Sequence, residues 1–204
     1  MFIIVIGVIP MNNPLYLFVG KSSSGKTTIA SKLEECYGYK QVFSYTTREP
    51  RYEGEIGHIF ITNEEFSKLG ELAAYTLYNG HRYGTTFEQL NECHIYVVDI
   101  PGVKTLLDKC KNYNRKICVI YFDVSVYNRI QRMINRGDSD TQIVSRLLQD
   151  ERDDWYDELD SLIWHYANIE HIDVVLQKVD ANDILSNVTS KVSYYMNKYE
   201  EGTE

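Results

Sequence analysis

A chain of 204 residues has room for one α/β domain with a full core and small inserted subdomains. Its hydrophobic share of 44% and charged share of 25% are ordinary for a soluble globular protein. A formal net charge of -8 excludes a large nucleic-acid footprint, which needs a basic surface, yet leaves anionic nucleotides within reach of local arginines and backbone donors.

Phe2 to Ile9 is an apolar run too short to span a bilayer, and it lacks the basic region and cleavage site of a signal peptide. Met11 opens Met-Asn-Asn-Pro just ahead of the first strand. It reads as the natural start, with residues 1–10 a translated leader and 1–14 outside the domain. Leu15 to Val19 is a short buried strand, and Thr28 to Tyr37 a helix with Ile29 and Leu33 facing inward.

Between them lies Gly20-Lys21-Ser22-Ser23-Ser24-Gly25-Lys26-Thr27, which fits G-x-x-x-x-G-K-[ST] at every fixed position. Small residues let the backbone curl so that its N–H groups converge on phosphate oxygens, and the helix N-terminus behind them adds a positive dipole end. Lys26 is placed to neutralise the β- and γ-phosphates of a nucleoside triphosphate and Thr27 to ligate Mg²⁺. Gly20, Ser22, Ser23, Ser24, Gly25 and Thr28 complete the cradle. The plain alternative is a serine- and glycine-rich turn before an ordinary helix; eight residues with correct flanks weigh against it.

Further along, Lys40 to Tyr45 predicts a second strand and Thr46 to Gly57 a loop shaped by Pro50, Gly54 and Gly57. His58 to Thr62 alternates like a strand, and Asn63 caps a helix through Leu69. Leu72 to Tyr78 is a strand closed by the turn Asn79-Gly80, and Phe87 to Cys93 a small helix. Ile95 to Val98 is a buried strand ending at Asp99, with a helix from Pro101 to about Asn112. Ile117 to Phe122 is a strand. Ser125 to Asn135 is a capped helix ended by Gly137, and Asp140 to His165 a long charged helix. Val174 to Leu176 and Asp183 to Tyr195 are the last strand and helix. Alternation of strands and helices predicts an α/β fold, a parallel sheet covered by helices, interrupted at about 44–90 by a small mixed β/α insertion. Cys36, Cys93, Cys110 and Cys118 show no metal or C-x-x-C spacing and read as thiols of a reducing, cytoplasmic compartment.

Ser44-Tyr45-Thr46-Thr47-Arg48-Glu49-Pro50-Arg51, taken with the phosphate loop, resembles the guanylate kinase family of nucleoside monophosphate kinases. The similarity continues through Gly54-Glu55, His58-Ile59-Phe60, Tyr83-Gly84-Thr85, Asp99 three residues before Gly102, Arg136-Gly137 and Arg146-Leu147, over roughly residues 15–180. It implies a P-loop NTPase fold with core segments 15–43 and 91–197, a monophosphate-binding insertion at 44–90, a lid at about 136–146, and a tail at 198–204.

The resemblance also implies roles. Arg48 and Arg51 would grip the acceptor phosphate through planar bidentate forks, with Tyr83 and His58 beside them; His58 stands where the family usually has tyrosine. Ser44, Thr85 and Asp99 would face the acceptor base, although Asp99 also reads as a helix cap. Arg136 and Arg146 match the lid arginines over the transferring phosphate, and Lys26, Arg48, Arg136 and Arg146 form the catalytic set. Arg132 and Arg152 are weaker candidates beside them, with decoration of a helix face the plain alternative. Ala74 aligns with the glutamate that usually reads guanine. The expected activity is ATP- and Mg²⁺-dependent phosphorylation of a nucleoside monophosphate, GMP or dGMP first, with no nucleic-acid or membrane partner. The alternatives are the same chemistry on another (deoxy)nucleotide or a sugar phosphate, and a non-catalytic binding module, which the intact Lys26, Thr27 and lid arginines disfavour.

Overall fold

The computed structural model describes residues 14–50, 53–110, 115–150 and 154–201. The proposed leader, the Met11 start, Arg51 and Arg152 lie outside those residues.

Strand β1 (Leu15–Val19) is buried at every position, as a strand covered on both faces must be. It lies between β6 (Ile95–Val97) and β7 (Ile117–Asp123), with β8 (Val174–Asp180) beyond β7, and all pairings in this sheet are parallel. Alternate side chains divide between two cores. Leu15, Leu17 and Val19 join Leu106 and Leu107 of α4 (Ile100–Lys109) and Leu159 and Ile163 of α7 (Trp155–Asn168). Tyr16 and Phe18 join Ile29 and Leu33 of α1 (Lys26–Tyr37) and Val188, Val192 and Met196 of α8 (Leu185–Glu200). The chain therefore has the α/β fold its alternating pattern predicts. Among the described residues no helix is long and apolar enough to cross a membrane.

A second sheet holds β2 (Ser44–Thr46), β3 (His58–Phe60), β4 (Leu72–Tyr78) and β5 (His81–Thr86) in the order β3-β2-β5-β4. Short helices α2 (Asn63–Phe66) and α3 (Phe87–Asn91) flank it. Helices α5 (Val126–Arg136) and α6 (Asp140–Gln149) follow β7. Ser125 caps α5, and Gly137 ends it at φ 88°, where its N–H reaches Ile134 O and Asp138 N–H reaches Met133 O.

Several elements differ from expectation, and in some of them the physical reason is plain. The strand expected at Lys40 to Tyr45 keeps only one bridge to the first sheet, Gln41 to Ile95, and becomes a strand at Ser44 once the chain has crossed to the second sheet. Thr62, not Asn63, caps α2, because Thr62 and Glu65 form a reciprocal capping box. His81 to Thr86 is a strand that its polar composition hid; it forms because Asn79 and Gly80, at φ 50° and 76°, make the tight hairpin that folds it against β4. The long charged helix is two helices, since α6 ends where the Asp150 carboxylate turns inward to tertiary partners. The four cysteines are free, and burial pushes the Cys110 and Cys118 thiols up to about 12.

Candidate active site

The loop between β1 and α1 is shaped by left-handed backbone at Gly20, Ser23 and Gly25 (φ 155°, 60° and 96°). At Gly20 a Cβ would stand 2.8 Å from Phe122 O and 3.0 Å from Ser24 Oγ, so only glycine fits. Lys26 Nζ turns back into the loop and donates to Gly20 O at 2.6 Å, Lys21 O at 3.0 Å and Ser24 Oγ at 3.2 Å. Burial pulls its pKa down to about 8, against the opposing pull of Asp150. The Ser23 hydroxyl is buried without a hydrogen-bond partner. A buried cation, an orphaned hydroxyl and a curled backbone in one loop are groups of a kind that suits an anionic, phosphate-bearing ligand.

Ser23 to Thr28 line one side of a cleft of about 550 Å³. Arg132, Arg136, Asp183 and Leu185 line the other. Gly20 and Ser22 sit behind it, and the Ser22 N–H is held by the Asp150 carboxylate at 2.8 Å.

Sheet register puts Ser44, His58, Ala74, Tyr83 and Thr85 on one face of the second sheet, since Ser44 pairs with His58, Ala74 with Thr85, and both Thr46 and Thr76 with Tyr83. Ser44 Oγ and His58 Nδ1 are 3.0 Å apart, and the Thr85 hydroxyl donates to Gln89 Oε1 at 2.8 Å. Ala74 is fully buried, 0% exposed, and packs in the core with Leu90 and Val98. Arg48 holds Glu55 through both terminal nitrogens, at 3.1 and 2.8 Å, and lies 5.2 Å over the Phe60 ring. Burial weighs against charge on Arg48, but the bonds to Glu55 and the nearby Tyr83 outweigh it and raise its pKa. A second cleft of about 320 Å³ is lined by Arg48, Tyr83 and His81 on the sheet side and by Gln142, Ser145 and Arg146 from α6.

Arg136 and Arg146 converge on one carboxylate. Asp138 accepts from Arg136 Nε at 2.9 Å, and Arg146 Nε lies 3.4 Å from its other oxygen. Arg136 lines the first cleft and Arg146 the second, so this ion-pair cluster borders both clefts. Asp99 lies between the sheets. It caps α4 by accepting from Gly102 N–H at 2.9 Å; burial raises its pKa, while that bond, the Thr76 hydroxyl and Lys26 hold it down. The cap reading of Asp99 is thus correct, and its neighbours Thr76 and Lys26 come from β4 of the second sheet and from the loop end of α1.

For Arg132 the plainer of its two readings fails. It is not helix-face decoration: its guanidinium donates to Ser24 O at 3.1 Å and Ala181 O at 2.7 Å, riveting α5 to the phosphate loop. Its spacing of four before Arg136, one helical turn on the same face, was the available signal. Arg129 and Asp150 were missed altogether, because nothing in a sequence pairs two charges 21 residues apart.

No protein-family model matches the chain. By sequence it is 30% identical over 146 residues to a guanylate kinase of Geobacter metallireducens, covering 65% of this chain and 70% of that relative. This chain belongs to the guanylate kinase family. It is accordingly a kinase, with the P-loop fold of that family. A second guanylate kinase, from Legionella pneumophila strain Paris, is 27% identical over 164 residues, 73% of this chain and 77% of the relative. The guanylate kinase structure from Anaplasma phagocytophilum superposes with a TM-score of 0.53 over 92% of this chain and 86% of that one; at 17% identity it speaks for the fold alone.

Proposed function

We propose that this guanylate kinase family member transfers the γ-phosphoryl group of ATP to a nucleoside monophosphate, with GMP or dGMP the first acceptor. The observation that carries the reading is the pair of cation-lined clefts bordered by one Arg136–Asp138–Arg146 cluster. Phosphoryl transfer asks for two anionic ligands end to end with positive charge at the junction, and little else. The donor cleft has the cradle for a polyphosphate, with Ser22 to Thr28 as its loop and Thr27 the candidate Mg²⁺ ligand. ATP supplies the phosphoryl group and Mg²⁺ neutralises its charge.

This chain's own residues do the rest. Lys26 holds positive charge against the loop. Arg48, with Tyr83 and His58 beside it, binds and orients the acceptor phosphate, and Arg51 joins it in this reading. Arg136 and Arg146 leave Asp138 for the transferring group and exclude water as the lid at 136–146 closes on the insertion at 44–90. Ser44, Thr85 and Asp99 face the acceptor base.

A second reading keeps the chemistry and changes the acceptor to another (deoxy)nucleotide or a sugar phosphate. Ala74 favours it, because a buried methyl stands where the family usually places the guanine-reading carboxylate. Losing a charged acceptor to two guanine donors costs about 2–4 kcal/mol of discrimination. A coupled ADP-release assay over a panel of monophosphates decides between them. Turnover with GMP or dGMP alone supports the first, and turnover with another acceptor selects the second. ATP binding with no turnover on any acceptor would overturn both.

A further inference from the structure

The best-buried ion pair at the site is used by none of the chemistry above. Arg129 and Asp150 have side chains only 3% and 5% exposed, and Arg129 Nη1 donates to Asp150 Oδ2 at 2.7 Å. That same oxygen accepts the backbone N–H of Ser22 in the phosphate loop at 2.8 Å. Arg129 Nε is buried with no hydrogen-bond partner. Two desolvated charges contribute little net stability in such a place; an apolar pair of similar volume often serves a core as well or better. A carboxylate beside a loop built for anions also works against phosphate unless a cation neutralises it.

The position of the pair explains its presence. Arg129 lies on α5, three and seven residues before Arg132 and Arg136, on one helix face. Asp150 closes α6, its N–H on Arg146 O at 3.0 Å. One oxygen therefore ties the phosphate loop, the helix of Arg132 and Arg136, and the helix end that follows Arg146. We propose that Asp150, neutralised by Arg129, is a positioning residue that sets the phosphate loop against the two lid helices, so that the loop is preorganised before nucleotide arrives. The inference rests on reading Gly20 to Thr27 as the ATP site.

Both bonds go to one oxygen, which gives the test its leverage. Asp150→Asn can keep both with its amide oxygen, whereas Arg129→Leu with Asp150→Ala removes the tether and leaves no buried charge. Amide hydrogen exchange followed by NMR reports the Ser22 N–H, and calorimetric titration with ATP·Mg²⁺ reports the loop's competence. Titrations are run at pH 6, where Lys26 keeps its charge even without the pull of Asp150; there Ser22 is protected in the wild type and in Asp150→Asn, and ATP affinity agrees within about threefold. In the folded double variant, protection of Ser22 is lost and the ATP Kd rises about tenfold or more, as expected when a ligand cradle must be ordered on binding.

A freely exchanging Ser22 amide in the wild type overturns the proposal without any variant. So does a folded double variant with wild-type ATP affinity, or a tenfold loss in Asp150→Asn with Ser22 still protected. A wild type that binds no ATP while Ser22 stays protected overturns the donor-site reading instead and leaves the tether standing.

Discussion

Lys26 gives the sharpest pH prediction. Its ammonium is buried, and burial lowers its pKa from 10.5 to about 8. On that value Lys26 is about nine-tenths charged at pH 7 and about one-tenth at pH 9. If the charged form receives nucleotide phosphate, affinity for ATP falls about tenfold between those pH values, and binding takes up about half a proton at pH 8 and close to one at pH 9 as the phosphate restores the charge. Titration calorimetry in two buffers of different ionisation enthalpy measures both quantities, and Lys26→Met should abolish the uptake.

Stability responds with its own slope. The folded pKa lies below the unfolded one, so between about 8 and 10.5 the unfolded chain binds more protons and stability rises with pH. Relative to Lys26→Met, the apo wild type should gain about 2 kcal/mol from pH 7 to pH 9.5. An ATP affinity that is flat from pH 7 to 9, without proton uptake, would refute a buried, half-titrated Lys26 at the phosphates.

Three substitutions test the rest of the site. Arg48→Lys keeps the charge but loses the two-pronged hold on Glu55, and should lower kcat/KM for the acceptor at least tenfold, about 1.4 kcal/mol, with ATP affinity unchanged; an equal loss on both substrates would move Arg48 out of the acceptor site. Gly20→Ala drives a methyl group against the Phe122 carbonyl, and should destabilise by about 1–3 kcal/mol in urea unfolding; an unmoved midpoint would mean the loop relaxes freely. Ala74→Glu buries a carboxylate in the core and should lower the apo Tm. Saturating GMP should then raise that Tm more than it raises the wild type's, and equal shifts would place base recognition elsewhere.

The phosphate loop was legible because its chemistry is local: consecutive residues make the curl, and the strand and helix on either side follow from apolar periodicity. The faces of the first sheet were legible for the same reason. What escaped was settled by partners far away in sequence. Strand β5 exists through pairing with β4, the break after α6 through Asp150 reaching back 128 residues to Ser22, and the role of Arg132 through carbonyls at Ser24 and Ala181. Asp99 shows a subtler limit. Capping and facing the acceptor base were competing readings of one residue; the structure shows the cap, and the carboxylate that makes it lies within the field of Lys26.

The carboxylates that accompany the arginines set the terms on which a ligand enters. Glu55 attends Arg48, and Asp138 attends Arg136 and Arg146. A chain with a net charge of -8 thus sets two carboxylates against these three cations at rest, and a phosphate arriving there would displace a resident anion. Such a metathesis yields little from charge alone. On the proposed reading it would favour a tetrahedral group whose three oxygens serve several donors at once over a flat carboxylate that serves two, so the resident acids would set a threshold against small planar anions.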